Sequence, residues 1–214
     1  SRSWLFQGDA ASLIEDGLSS AECDKFARGQ ALPFLPDSPA LHVVLKGRVR
    51  LVSRRATGRE FTLVILGEGD IPDITTLFGT ECLPVDIEPI TNVEVLRLPV
   101  TQFRQWAAKH HGFAHRLQQY LGFLFNEVCD SATSVATDET LVRFARLLLR
   151  YFDRDRFELI ADLSQSKLAS LTATSRVVIT RHAQKLRDAQ ILDVKRGQLR
   201  VLDESKLRKL AKLS

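Results

Sequence analysis

The sequence predicts an α+β chain: an N-terminal β-roll, which is a double-stranded jelly-roll-like barrel, then a long helix, then a C-terminal winged helix-turn-helix. Three observations carry that prediction. Hydropathy alternates with period two from about Ala31 to Pro99. A heptad stripe follows, running from Leu117 to Val135. Residues 163–186 then read as two short helices joined by a tight turn. The domain bounds that follow are 1–110, 111–137 and 138–214.

Residues 1–30 read as helical in patches, with Leu13, Ile14 and Leu18 as apolar anchors. From Ala31 the period changes. Residues 41–46 run into Gly47, residues 48–54 alternate, and Thr57-Gly58 supplies a turn. Residues 61–66 form a β-rich run, Gly67-Glu68-Gly69-Asp70 is a further turn, and residues 93–98 alternate again. Short strands with turn signals at this spacing fit a closed antiparallel roll and not a βαβ sheet.

Pro99 closes the β region, and a short helix begins at 101–106. A longer helix is expected from about Phe113 to about Val135. Its apolar positions, Leu117, Leu121, Leu124, Val128 and Val135, step by four and three, with Ser131 filling the one gap. So narrow a seam fits pairing with a second copy by knobs into holes, which makes these five residues the candidate dimer interface. The alternative is a helix packed on its own β-domain. Thr137-Asp138-Glu139 starts the next helix, with acids where the helix dipole favours them. Leu141, Phe144, Ala145, Leu148 and Phe152 form its apolar face. A charged turn at 153–156 and a short strand at 157–161 are expected before the two-helix unit.

In that unit Leu168, Leu171, Ile179, Ala183 and Leu186 form the inward seam, and Ser175 is placed to cap the second helix. The opposite face carries Arg176, Val177, Thr180, Arg181 and Gln184. Guanidinium forks, a hydroxyl, an amide and small apolar groups are the side chains that read base edges and thymine methyls in a major groove. An amphipathic surface helix with a solvated polar face is the plainer alternative. Residues 191–202 read as a hairpin with Gly197 at its tip, a wing on which Lys195, Arg196 and Arg200 are available to phosphates. A short basic helix ends the chain.

Charge is distributed to match. Residues 1–137 hold 13 Lys+Arg against 16 Asp+Glu, a balance of −3, and residues 138–214 hold 17 against 10, a balance of +7. A polyanion would be bound at the back of the chain. No apolar run is long enough to span a bilayer, and the N-terminus lacks the features of a secretory signal. With no disulfide framework or C-x-x-C pair among 3 Cys, a reducing cytoplasm is the expected home. The absence of Met predicts that the initiator, and with it a short N-terminal segment, is missing. There is no P-loop, G-x-G-x-x-G or G-x-S-x-G, so no enzyme is expected.

The order of β-roll, pairing helix and winged helix-turn-helix resembles the bacterial regulators of the cyclic-AMP receptor protein/FNR (CRP/FNR) family. The most specific piece, Ser175-Arg176-Val177-Val178-Ile179-Thr180-Arg181, is similar to the recognition helix of the cyanobacterial global nitrogen regulator branch. The receptor-protein branch carries Glu where this chain has Val177. The resemblance implies a homodimer on double-stranded DNA, with half-sites of the GTA…TAC kind and RNA polymerase as a further partner. It implies Arg176 and Arg181 as guanine readers, Val177 against a thymine methyl, and Ser164, Ser166 and Ser175 on phosphates. Thr180, Gln184, Lys185 and Lys195 complete the expected DNA-binding set.

The sensor half departs from that family. A cyclic-nucleotide pocket needs a Gly-Glu pair and an Arg-Ser pair. After Gly69-Asp70 this chain reads Ile71-Pro72-Asp73, and where Arg-Ser should come it has Glu81-Cys82-Leu83-Pro84. An acidic and apolar lining repels a phosphate or a dicarboxylate, so neither cyclic AMP nor 2-oxoglutarate is expected to bind, and no cofactor is. Cys23, Cys82 and Cys129 do not resemble the iron–sulfur arrangement of the FNR branch and are expected to be small buried or inert thiols. His111 and His115 stand at i, i+4 beside His110, but no acid completes an H-E-x-x-H, so no metal is expected. The alternative function is a haem- or other small-ligand-binding sensor module, with His42 as a further candidate ligand, whose basic end contacts a protein.

Overall fold

The computed structural model describes residues 22–33, 39–54, 60–79, 85–151, 163–195 and 198–212. It divides into two compact units, Ser1–Arg54 with Leu63–Cys129, and Arg55–Thr62 with Asp130–Ser214. The first holds six strands: β1 (Glu22–Phe26), β2 (Ala40–Lys46), β3 (Val49–Arg54), β4 (Glu60–Leu66), β5 (Val85–Pro89) and β6 (Val93–Pro99). They form two three-stranded sheets, ordered β1-β6-β2 and β4-β3-β5.

Strand alternation explains where the core sits. In the first sheet Val44, Val93 and Val95 face Val49, Val64 and Leu66 of the second, with Leu32 beside them. The other face of that sheet, Leu41, Val43, Leu96 and Leu98, is covered by helical residues. Both faces are thus dry, which is why residues 93–98 hold so many aliphatic side chains. Gly47 makes the β2–β3 turn at φ +89°, where a Cβ would stand 2.3 Å from the carbonyl oxygen of Asn92. No side chain fits there.

Helix α1 (Val100–Lys109) follows β6 directly, and α2 (His111–Thr137) follows it. Phe103, Trp106 and Phe113 pack as an aromatic cluster, with ring centroids 4.8–5.7 Å apart. Phe113 and Tyr120 are the fully buried positions of α2, and Leu117, Leu121, Phe123 and Leu124 lie against the same core. The Tyr120 hydroxyl accepts from the Ile71 amide at 3.0 Å, both groups buried.

The second unit contains α3 (Thr140–Tyr151), α4 (Gln165–Leu171), α5 (Arg176–Asp188), a hairpin of β7 (Leu192–Lys195) and β8 (Gln198–Val201), and α6 (Glu204–Leu210). Val142, Phe144, Ala145, Leu147 and Leu148 of α3, Leu168 and Ala169 of α4, Ile179 and Leu186 of α5, and Leu207 of α6 are buried. In the hairpin the register runs from Leu192 opposite Val201 to Lys195 opposite Gln198.

Three expectations are corrected. Residues 22–26 are not helical: β1 pairs along its length with β6, and long-range ladder bonds override local propensity. Strand β5 was not foreseen. It pairs with β3 through Asp86 and Glu88, whose charges obscured the alternation. Cys23 and Cys129 are exposed and not buried. The anchors Leu13, Ile14 and Leu18, the Thr57-Gly58 turn, Glu81-Cys82-Leu83-Pro84, Phe152, the charged turn and strand at 153–161, and Arg196 and Gly197 lie outside the described residues.

Replacing Tyr120 with Phe strands a buried amide at Ile71. The expected cost is about 1–3 kcal/mol, read as a lower urea midpoint at unchanged m. An unchanged midpoint would show that the bond contributes nothing.

Candidate nucleic-acid interface

The site is built on two short helices whose starts are both capped by serine. Ser164 accepts from the Lys167 amide at 3.3 Å, and Ser175 from the Val178 amide at 3.4 Å. Each cap satisfies one of the orphan donors of a first helical turn and leaves the hydroxyl proton free to donate outward. Both serines are exposed, as is Ser166. Between the helices, Ala173 adopts φ +49°, the left-handed conformation that lets the chain reverse within Thr172–Ser175.

Helix α5 is oriented by Ile179 and Leu186, which are fully buried, with Ala183 half-buried between them. The seam holds, and it fixes what faces outward. Arg176, Val177, Thr180, Arg181, Gln184 and Lys185 are all exposed. Val177 is 68% exposed, an apolar side chain set among the polar ones of this face. Five of these six, with Asp188, line one shallow groove; Arg176 stands beside it.

Among the described residues, no hydrogen bond or ion pair engages the side chains of Arg176, Arg181 or Lys185. Two others on the face are engaged. The Gln184 amide donates to Asp188 at 2.7 Å. The Thr180 hydroxyl lies 3.0 Å from Gln165 Oε1 and 3.0 Å from the Arg176 carbonyl oxygen. Gln165 is a site residue that the sequence reading missed, because nothing in local spacing links the start of α4 to the middle of α5. Lys195 ends β7; its side chain lies outside what is described.

His182 flanks the face, half-buried. Partial burial lowers its pKa below the ordinary 6.5, and the charges of Lys185 and Arg181 lower it further.

The expected dimer residues sit on α2 in two groups. Leu117, Leu121 and Leu124 are half-buried against their own β-domain. Val128 is half-buried and Val135 exposed, and neither is among the residues packed on those cores. Phe125, which the heptad reading passed over, is 69% exposed.

For other chemistry, His42 is committed to Asp73, with Nδ1 2.6 Å from Oδ2. No group of three or more His, Cys, Asp or Glu among the described residues is arranged to hold a metal ion. No described helix is long and apolar enough to cross a membrane.

Comparison with known proteins agrees with this layout. Residues 24–110 match the model of the cyclic nucleotide-binding domain, and residues 142–210 that of the Crp-like helix-turn-helix domain. The cyclic AMP receptor protein of Thermus thermophilus is 24% identical over 208 residues, 97% of this chain and 96% of that protein. The CRP-like cAMP-activated global transcriptional regulator of Mycobacterium tuberculosis is 23% identical over 188 residues, 84% of each. The structure of the c-di-GMP responsive global regulator CLP of Xanthomonas campestris superposes with a TM-score of 0.75 at 18% identity, covering 90% of this chain and 99% of that one. A cyclic nucleotide-binding-like domain, a long helix and a Crp-like helix-turn-helix in this order make the chain a DNA-binding transcription regulator of the CRP/FNR family.

Proposed function

We propose that the chain regulates transcription as a homodimer on a palindromic DNA site, one α5 helix per half-site. The observation that carries this reading is the outward face of α5, where three unpaired cations surround an exposed valine. Cations crowded on one helix face repel one another and gain nothing from the fold. A polyanion removes that repulsion and releases its own counterions. Arg176 and Arg181 are the guanine readers, and Val177 meets a thymine methyl. Ser164, Ser166, Ser175, Lys185 and Lys195 hold phosphates, and Thr180 and Gln184 complete the reading face. The likeness of 175–181 to the cyanobacterial nitrogen regulators supports a half-site of the GTA…TAC kind.

Residues 111–137 serve as the dimerisation helix between a β-domain at 1–110 and a DNA-binding domain at 138–214. Exposed Phe125 and Val135, with half-buried Val128, support a second copy lying along it, joined by Leu117, Leu121 and Leu124. The partners are thus DNA, the second copy and RNA polymerase, in the cytoplasm, and no catalysis is assigned. The relatives named above are regulators, which supports that last point.

Two of those relatives are named for cyclic AMP, yet the described part of this chain does not fit the nucleotide. In the turn at 67–70, Asp70 is buried and its carboxylate accepts from the Gly67 amide at 2.8 Å. An acid spent on closing its own turn neither binds a ribose nor welcomes a phosphate. Cyclic AMP is therefore not the effector.

Fluorescence anisotropy with a GTA…TAC palindrome and a scrambled duplex, over a salt series, tests the proposal. A steep negative salt slope with retained preference for the palindrome is expected. Equal affinity for both duplexes overturns it. In the same assay Arg176→Ala should cost about 1–3 kcal/mol and relax selectivity at one base pair. Uniform weakening on every sequence would instead place Arg176 on the backbone. Adding cyclic AMP should leave the affinity unchanged, and a rise of tenfold or so, as about 1.4 kcal/mol of coupling would produce, would restore the nucleotide as effector.

His182 offers a separate readout. Its folded pKa lies below 6.5, so the unfolded chain takes up the proton first as pH falls. His182 therefore leaves stability untouched above that window and lowers it within and below it. Phosphates beside Lys185 and Arg181 offset their charges, so the imidazole midpoint followed by NMR should rise when duplex is added. A fall on binding would mean that no phosphate approaches.

A further inference from the structure

Thr180 stands among the cations and Val177 on the outward face of α5, yet its hydroxyl is already spent inside the protein. It has one proton and two acceptors in reach, Gln165 Oε1 at 3.0 Å and the Arg176 carbonyl oxygen at 3.0 Å. Threonine can meet a base in two ways, by a hydroxyl hydrogen bond or by its methyl against a 5-methyl group. Donating to a base would break an existing bond to make an equivalent one, which yields little net free energy, and only the oxygen lone pairs stay free to accept. The second leaves the existing bonds intact. The two acceptors draw the oxygen back toward α4 and the first turn of α5, leaving the γ-methyl as the outward part of the side chain. Three residues earlier on the same face stands Val177, 68% exposed.

We propose that Thr180 reads DNA through its γ-methyl, with Gln165 as the positioning residue that holds the hydroxyl away. Val177 and Thr180 together form a two-residue apolar reader for the 5-methyl groups of neighbouring thymines, flanked by the guanidinium groups of Arg176 and Arg181. The inference rests on the DNA-reading role proposed above and adds the chemistry by which one part of the site is read. It also assigns a role to Gln165, which touches no base.

The test uses the full chain and a labelled GTA…TAC duplex in which each thymine is replaced, one at a time, by deoxyuridine, which lacks only the 5-methyl. Losing one methyl contact should weaken wild-type binding about fourfold at the positions read. T180S keeps the hydroxyl and loses the methyl. It should bind the thymine duplex about fourfold more weakly than wild type per half-site, about sixteenfold for the dimer, and at one position in each half-site it should no longer distinguish thymine from deoxyuridine. T180V keeps a methyl and loses the hydroxyl, so it should bind more tightly than T180S and still discriminate at that position. Q165A should narrow the discrimination there without moving the thermal midpoint, a change that a merely structural role would not produce.

T180V binding as weakly as T180S, or no deoxyuridine position coupled to T180S, overturns the methyl reading. Unchanged discrimination in Q165A removes the positioning role. A wild-type chain that does not prefer the palindrome over a scrambled duplex defeats the regulator proposal itself, an outcome separate from the others.

Discussion

Helices end in carbonyls that no amide of their own helix can reach, and in the second unit two arginines of α3 meet that need. Arg143 donates from Nε to the Thr172 carbonyl at 3.0 Å, just past the end of α4, and from Nη1 to the Asp138 carbonyl at 2.6 Å, just past α2. Arg146 donates from Nε to the Ala211 carbonyl at 3.0 Å, past α6, and pairs with the Asp138 carboxylate at 2.5 Å. A guanidinium suits this work because its donors form a fixed planar fork and it sheds water more readily than an ammonium. Its positive charge also answers the negative end of each helix dipole. One side chain thereby fixes where α4 stops, and so where the left-handed Ala173 turns the chain into α5. The end of α4, and with it the start of α5, is thus tied to α3 by hydrogen bonds.

The β-domain depends on a different constraint. Its second sheet buries charge as well as apolar surface, so each buried group of β3 and β5 needs an apolar neighbour, a hydrogen bond or a charge partner. Where the pattern admits a charge, the partner comes from far along the chain. Arg50 is 2% exposed and pairs with Glu88 at 2.8 Å across the β3–β5 ladder, and Arg54 reaches the same carboxylate at 2.6 Å. Removing either member of such a buried pair leaves an uncompensated charge, which costs about 3–5 kcal/mol.

The same distinction between near and far explains what the sequence made legible. The winged helix-turn-helix could be read because its signals are local: a serine cap at Ser175, a seam at i, i+4 and i+7, and two short alternating runs at the end. The outward set of Arg176, Val177, Thr180, Arg181, Gln184 and Lys185 followed from that seam by geometry alone. Strand β1 was misread because it is held by β6, about seventy positions away, and β5 was missed because Glu88 stands 38 positions from Arg50, its partner across the ladder. On α2 the heptad stripe was real but incomplete. Phe113 and Tyr120 repeat at seven as well, and their larger rings take the roll-facing side, leaving Phe125 outside. Gln165 was invisible for the reason β5 was, since a contact across a turn leaves no trace in either helix's own period.

The turn after β4 shows how the sensor half has been redirected. Its backbone is closed by Asp70, which accepts from the Gly67 amide, while the Asp70 carbonyl accepts from the Val44 amide at 3.0 Å and the Val44 carbonyl accepts from the Gly69 amide at 2.8 Å. Asp73 holds His42 at both its amide and its ring, and Tyr120 of α2 holds the Ile71 amide. These bonds shape the turn from within the protein, although His42 Nε2 is buried with no hydrogen-bond partner among the described residues. The turn and the long helix are thus joined by one phenol, in a loop whose backbone is closed by its own acid.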